Sequence, residues 1–136
     1  MVSPDEVNAF LAEQYPAAHA AGHRCLEMGD GRALARWTLD VATLRPGQLI
    51  SGPVQFALAD LALWFLSFTV LGLAPMAVTS DLHITFLRPA TGADLLAEAT
   101  LLRAGRTRIT GEVHLFLAGA PARRVAHAVG SYARLA

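Results

Sequence analysis

The most apolar stretch of this chain is Ile50-Ser-Gly-Pro-Val-Gln-Phe-Ala-Leu-Ala-Asp60-Leu-Ala-Leu-Trp-Phe-Leu-Ser-Phe-Thr-Val-Leu-Gly72, and this stretch decides the fold. Pro53 stands near its start, and the helix breakers Gly72 and Pro75 stand at its end. Proline is favoured in the first turn of a helix, and glycine just beyond its last turn. The stretch therefore predicts a buried helix of about five turns.

A transmembrane helix is the alternative interpretation of this stretch, because about 20 apolar residues can cross a bilayer. Asp60 lies near its centre, where a carboxylate costs roughly 3 kcal/mol on membrane insertion. Gln55 places a second polar side chain near one end. We therefore predict the core helix of a water-soluble domain and no contact with a membrane.

Asp60 is the first candidate functional residue. An ionised carboxylate in such apolar surroundings must find partners, undergo a pKa shift, or face a cleft, since burying it unpaired costs several kcal/mol. Acids of this kind concentrate at functional sites. The alternative is a structural acid, paired with a backbone group or with an arginine from another strand.

Composition restricts the class of protein. With 136 residues, 54% of them apolar, the chain is expected to form one domain over residues 1–136. Its 11 basic and 11 acidic residues balance, so no general attraction to nucleic acid is predicted. All the basic residues are arginine, which excludes a lysine nucleophile. Cys25 is the only cysteine and the N-terminus lacks a signal-peptide pattern, so a cytoplasmic location is expected.

The residues before the long helix predict a short amphipathic helix and then a β-hairpin. Ser3-Pro4-Asp5-Glu6 combines an N-cap serine, a proline at the first helical position and the glutamate of a capping box. Tyr15-Pro16 is expected to end that helix. Residues 19–40 then predict two strands around the turn Gly29-Asp30-Gly31.

Four strand-like runs follow the long helix, at residues 76–87, 94–103, 107–117 and 123–135. Alternation in the first run predicts one face with Val78, Ser80, Leu82, Ile84 and Phe86, and an opposite face with Thr79, Asp81, His83 and Thr85. One long apolar helix followed by an antiparallel meander predicts an α+β fold in which the sheet wraps the helix.

Neither a metal site nor a serine nucleophile is well supported by the sequence. His19 and His23 have helical spacing, but no acid lies in register with them. His23 and Cys25 offer two ligands where a structural zinc site needs four. Ser67 lies outside any Gly-x-Ser-x-Gly elbow. We therefore predict no metal site and no serine hydrolase triad.

Three segments give the chain a family resemblance. Ser51-Gly52-Pro53, followed by Asp60, resembles a His-Gly-Gly motif followed by Asp or Glu. Ala77-Val-Thr-Ser-Asp-Leu-His-Ile-Thr-Phe-Leu-Arg-Pro89 is similar to a Thr-x-x-Leu-x-x-x-Phe-Leu-Arg-Pro strand. Leu102-Arg-Ala-Gly-Arg106 resembles an Arg-x-Gly-Arg turn. With the predicted layout, these segments resemble the hotdog fold and, within it, the phenylacetate-pathway (PaaI-like) acyl-CoA thioesterases.

The resemblance implies hydrolysis of an acyl-CoA thioester without a metal or redox cofactor, coenzyme A being part of the substrate. Asp60 would be the nucleophile or the general base that activates water, and both roles remain open. The Gly52 N–H would bind the thioester oxygen, because the first N–H groups of a helix lack intrahelical partners. Ser51 is a further candidate hydrogen-bond donor. The family's site lies between subunits, which implies a homodimer or homotetramer.

Further residues are candidate contacts for a medium-chain or aromatic acyl group and for coenzyme A. Trp64 lies one turn after Asp60 on the same helix face. His83 is a candidate for lining the cleft. The guanidinium group suits phosphate binding. The resemblance therefore implies that coenzyme A contacts the Arg-rich segments, whose candidate residues are Arg88, Arg103, Gly105 and Arg106. The alternative for each is an ordinary core or surface position.

Departures from the family pattern keep a second hypothesis open. Ser51 replaces the usual histidine, Pro53 replaces the second glycine, and Arg45 replaces an asparagine of many members. A non-catalytic acyl-CoA-binding or structural hotdog protein is therefore the alternative to a thioesterase. A hotdog hydratase is a weaker alternative. The hydratase pattern resembles an acid followed five residues later by histidine, whereas Phe65 stands at that distance from Asp60.

Overall fold

The computed structural model describes residues 1–74 and 76–135. Pro75, in the segment predicted to end the long helix, and Ala136, the last residue of the predicted domain, lie outside the described residues. The helices are α1 (Pro4–Gln14), α2 (Pro16–Ala20) and α3 (Gly52–Leu71), with a short 3-10 helix at Val41–Thr43. The strands are β1 (His23–Gly29), β2 (Arg32–Trp37), β3 (Val78–Phe86), β4 (Leu95–Ala104), β5 (Arg108–Leu117) and β6 (Arg124–Ala133).

The six strands form one antiparallel sheet in the order β1-β2-β4-β5-β6-β3, and α3 packs against all of them. Although α3 is long and apolar enough to cross a membrane, 61% of its apolar window is buried inside the fold, so it is the core helix. The predicted α+β class is confirmed, as is the hotdog arrangement of a sheet wrapped around a long helix. The helix starts and ends close to the predicted positions.

Two glycines allow α3 to approach the sheet closely. A Cβ atom at Gly111 on β5 would lie 2.5 Å from Leu66 and 2.8 Å from Leu63, both on α3. A Cβ atom at Gly130 on β6 would lie 2.9 Å from Leu63. A larger residue at either position would force these leucine side chains to shift, because protein interiors are close-packed.

The N-terminal region agrees with the sequence except at one boundary. Ser3 caps α1 in a complete capping box with Glu6, as predicted. Pro16 ends α1, but it also begins the short helix α2, since proline is well suited to a first helical position. The prediction that the hairpin starts at His19 is therefore wrong, because this residue belongs to α2 and β1 starts at His23.

A β-bulge changes which residues of β3 face the core. The register of β3 against β6 shifts after Thr79, which pairs with Tyr132, so that Ser80 is an additional residue. Thr79 consequently faces α3, on the same side as Leu82. The prediction of unbroken alternation, which placed these two residues on opposite faces, is therefore wrong.

Strand β3 also forms an edge of the sheet. Val78 and Phe86, at its two ends, are 43% and 50% exposed. An edge strand presents unpaired backbone N–H and C=O groups, and it is a natural position for pairing with another chain.

Candidate active site

Two hydroxyl groups bind the same oxygen of the half-buried Asp60 carboxylate. Thr79 Oγ1 donates a hydrogen bond to Asp60 Oδ1 at 2.7 Å, and the Tyr132 hydroxyl donates to the same oxygen at 2.8 Å. The Tyr132 hydroxyl also lies 3.0 Å from the Asp60 carbonyl oxygen. Among the described residues, no hydrogen bond is made to Oδ2. One carboxylate oxygen is thus held in place while the other remains available.

Tyr132 is well suited to hold this acid. Its side chain is buried, and a buried phenol requires a hydrogen-bond partner. Burial, and next the negative charge of Asp60, raise the pKa of Tyr132 above its usual value. The phenol therefore stays protonated and acts as a permanent donor to the carboxylate.

A cavity of about 630 Å³ opens beside Asp60. Its walls are mainly apolar and aromatic, with contributions from the end of α1, from α3 and from β3. Trp64 lines this cavity one turn after Asp60, as the shared helix face predicts. Its other apolar lining residues include Tyr15, Leu61, Met76 and Val78. An apolar cavity beside a positioned carboxylate is the usual form of a small-molecule site.

The start of α3 leaves one backbone donor unused by the helix cap. Ser51 is the N-cap residue, and its Oγ accepts a hydrogen bond from the Val54 N–H at 3.3 Å. Pro53 has no N–H group. The Gly52 N–H is therefore the first-turn donor that remains, at the positive end of the helix dipole. The hydroxyl of Ser51, a candidate hydrogen-bond donor, functions in this structure as the helix cap.

Gly52 borders a second cavity, of about 470 Å³. Arg45 and Arg88 are exposed at its border, while Gln55 is buried and donates to the Ile50 carbonyl at 3.1 Å. The Gln55 Oε1 atom has no partner among the described residues. This cavity therefore combines two guanidinium groups, which suit an anionic ligand, with an amide oxygen that can only accept hydrogen bonds.

The remaining predicted contact residues lie outside these two cavities. Arg103 and Arg106 are exposed in the β4–β5 hairpin, where the Gly105 N–H donates to the Arg108 carbonyl at 2.8 Å. That hairpin ends beside Tyr132, because Arg108 pairs with the neighbouring Ala133. The arginines are thus at the same end of the sheet as Asp60, although they do not contact it.

His83 is exposed on the edge strand β3, and its Nε2 atom lies 3.4 Å from Thr85 Oγ1.

The two predicted catalytic groups are not brought together within the chain. Gly52 and Asp60 stand eight residues apart on one helix, which separates them by about 12 Å at a rise of 1.5 Å per residue. Groups that act on one carbonyl must each lie about 3 Å from it.

Sequence reasoning missed Thr79 and Tyr132 as partners of Asp60. The bulge at Ser80 is not visible in the alternation pattern, which places Thr79 on the face opposite to Leu82. For Tyr132 a signal existed, since a tyrosine in a core-facing strand position needs a polar partner.

Comparison with known proteins places this geometry in context. Residues 47–120 match the model of the thioesterase superfamily, a range that includes both Gly52 and Asp60. A search of curated proteins gave no significant match.

Several solved structures resemble the whole chain. A putative thioesterase from Silicibacter sp. TM1040 has 32% sequence identity and a TM-score of 0.86, with 98% of this chain and 92% of that chain covered. The PaaI protein of the Escherichia coli phenylacetic acid degradation operon has 28% identity and a TM-score of 0.81, covering 96% and 92%. A mutant of the phenylacetic acid degradation protein PaaI from Thermus thermophilus has 26% identity and a TM-score of 0.76, covering 88% and 99%.

Proposed function

Because this chain belongs to the thioesterase superfamily, we propose that it hydrolyses an acyl-CoA thioester and that Asp60 carries the reaction. The observation that carries the proposal is the carboxylate itself. Thr79 and Tyr132 hold Asp60 Oδ1, while Oδ2 remains available beside an apolar cavity. A carboxylate positioned in this way can attack the thioester carbon or remove a proton from water.

The cavity beside Asp60 supports a medium-chain or aromatic acyl group. Its volume of about 630 Å³ falls in the range of small-molecule sites, and Trp64 and Tyr15 offer aromatic surface. The two rings contact each other edge to face, with their centroids 6.3 Å apart, and Trp64 is buried whereas Tyr15 is partly exposed. An acyl group seated here would bring its carbonyl carbon to the carboxylate.

We propose that the thioester oxygen binds to Gly52 of a second subunit. The separation of about 12 Å along α3 prevents Gly52 and Asp60 of one chain from acting on one carbonyl. An N–H group at a helix start can stabilise the negative charge that develops on the oxygen, an effect typically of about 3 kcal/mol. A complete site therefore requires two copies of the chain.

The exposed edge of β3 supports a homodimer of this kind. Two copies of β3 that pair antiparallel about a two-fold axis would place the Val78 end of one strand beside the Phe86 end of the other. Asp60 accepts a hydrogen bond from Thr79 at the Val78 end. Gly52 lies at the other end, where an added Cβ atom would be 3.2 Å from Phe86. The pairing would thus bring the two cavities together.

Coenzyme A would bind through the exposed arginines around the joined cavities. Arg88 borders the Gly52 cavity, whereas Arg103, Gly105 and Arg106 form the hairpin at the Asp60 end of the sheet. Guanidinium groups suit the phosphates of the substrate. The proposed reaction uses no metal or redox cofactor, and we place the enzyme in the cytoplasm, where acyl-CoA esters are used.

The test is release of free thiol from short, medium, long and aromatic acyl-CoA esters, measured with wild type and Asp60→Asn in parallel. We expect turnover of medium-chain or aromatic esters and a loss of about a hundredfold or more in the folded variant. Wild-type rates in Asp60→Asn would refute the assignment of this residue. Binding of acyl-CoA esters without any turnover would instead favour the non-catalytic alternative.

A further inference from the structure

Two histidines and a glutamate converge on the sheet face that points away from α3. Glu112 and His114 alternate on β5 with Val113, which is buried against the core, so both point to the outer face. His127 lies directly opposite His114 on β6. None of the three belongs to the Asp60 site or to the cavity next to Gly52.

Both histidines contact the carboxylate of Glu112. His114 Nε2 lies 2.9 Å from Glu112 Oε1, and His127 Nε2 lies 3.3 Å from Glu112 Oε2. All three ligating atoms lie within 4.8 Å of one another, and the side chains are between 24% and 35% exposed.

We propose that Glu112, His114 and His127 form a binding site for a divalent transition-metal ion, with Zn²⁺ the best match. Two imidazole nitrogens and one carboxylate are typical zinc ligands, and a water molecule would complete a tetrahedral arrangement. The ion would take the place of the protons now shared between the histidines and Glu112. It would connect β5 to β6 and thereby stabilise the folded state.

This site departs from the prediction of no metal, which was argued from the spacing of His19, His23 and Cys25. Cys25 does not compete for the ion, because burial raises the pKa of its thiol to about 12. The cluster forms across two strands, so its members are not recognisable from sequence spacing. The proposal is also independent of thioester hydrolysis, since it involves no residue of the proposed active site.

Arg124 weakens the site in a way that can be tested. Its Nη1 atom lies 2.6 Å from His114 Nδ1 and can only donate, so Nδ1 is the acceptor and the proton of this ring is on Nε2. A metal-bound histidine normally donates from its other ring nitrogen to an acceptor. Metal binding at His114 Nε2 therefore requires Arg124 to turn away, and the two compete.

The experiment is calorimetric titration of the full-length protein with Zn²⁺ alone, together with thermal melting in the presence and absence of the ion. We expect saturable binding of one ion per chain and a raised melting temperature. Glu112→Gln and His127→Gln should each weaken binding at least about tenfold, while the control His19→Gln should leave it unchanged. Absence of binding to wild type, or equal binding by all variants, would overturn the proposal.

Arg124→Gln provides a second test, which does not depend on loss of function. The glutamine amide oxygen can accept a hydrogen bond from the His114 Nδ1–H group, whereas the arginine cannot. We expect Zn²⁺ affinity to rise about tenfold in this variant. Substitution by Co²⁺ should give visible absorption bands typical of tetrahedral coordination. Unchanged or weaker affinity in Arg124→Gln would contradict the proposed role of His114.

Discussion

The Tyr132 hydroxyl lies 2.8 Å from Asp60 Oδ1, although the two residues are 72 positions apart in the sequence. The contact joins the last strand of the sheet to the centre of the core helix. This hydrogen bond satisfies both groups, because the buried phenol gains an acceptor and the carboxylate gains a donor. Thr79, brought inward by the bulge in β3, donates to the same oxygen.

Tyr132→Phe should lower kcat about ten- to a hundredfold with little change in KM. The substitution removes one hydrogen bond to a charged group, worth about 1.5–3 kcal/mol, but leaves the Thr79 bond in place. Tyr132 holds the Asp60 carboxylate in place, so the loss should appear mainly in kcat. Steady-state kinetics together with the melting temperature would check this. A lower melting temperature with unchanged kcat would indicate a purely structural role.

Thr79 offers a matched pair of variants. Thr79→Val removes the hydroxyl at nearly constant volume, and it should lower kcat about as much as Tyr132→Phe. Thr79→Ser keeps the hydroxyl and should preserve most of the activity. If the serine variant were as inactive as the valine variant, the methyl group of Thr79, and not its hydrogen bond, would be the important feature.

Gly52→Val should abolish most of the activity while the protein remains folded. Even a single Cβ atom here would lie 3.2 Å from Phe86, and the larger side chain would occupy the space next to the backbone donor. The matched control is Gly29→Val, because a Cβ atom at Gly29 meets nothing within 4 Å. Thiol release and circular dichroism of both variants would check this. Similar rates for the two variants would contradict the role of Gly52.

His23 should make the protein less stable in acid. Burial, and next the charge of Arg24, lower the pKa of His23 from 6.5 to about 4, and its Nδ1 atom has no partner among the described residues. The unfolded chain therefore takes up this proton at a higher pH than the folded protein. The contribution of uncharged His23 to the free energy of unfolding is complete above pH 6.5. It is lost as the pH falls toward about 4, by roughly 3 kcal/mol in total.

Urea unfolding between these pH values would measure this loss. We expect His23→Phe to flatten the dependence of the free energy of unfolding on pH between these values. The control His83→Gln, at an exposed position, should leave that dependence unchanged. An equally steep decline in His23→Phe would show that other groups cause the acid sensitivity.

Cys25 should be inert toward thiol reagents in the folded protein. Its side chain is buried, and burial raises the pKa of the thiol to about 12. A disulfide reagent should therefore label it only after denaturation, which spectrophotometry can follow. Rapid labelling of the native protein would contradict this burial. The same property means that Cys25 should not interfere with detection of released coenzyme A.

The core helix and its acid could be predicted because their signals are local. A 20-residue apolar helix, its proline start and the single carboxylate at Asp60 are all visible in one continuous stretch. The family resemblance added the hotdog arrangement and the expected role of Gly52. The strand boundaries followed from turn residues such as Gly29 and Gly31.

The rest depends on register, which the sequence does not reveal. One additional residue in β3, Ser80, moves Thr79 to the helix face and thereby places it next to Asp60. The Tyr132 contact likewise depends on how β6 is paired with β3. The pairing of His114 with His127 across β5 and β6 has the same origin. Long-range pairing between strands therefore sets the details of both sites.

The central claim is that Asp60 of one subunit acts with Gly52 of its partner, and mixing two inactive variants tests it most directly. Asp60→Asn and Gly52→Val would be mixed, exchanged into mixed dimers and assayed for thiol release from an acyl-CoA ester. In each mixed dimer one site carries both substitutions and the other carries neither. Random exchange should therefore restore about a quarter of wild-type activity. Activity no higher than that of the separate variants, with mixed dimers shown by mass spectrometry, would contradict the account.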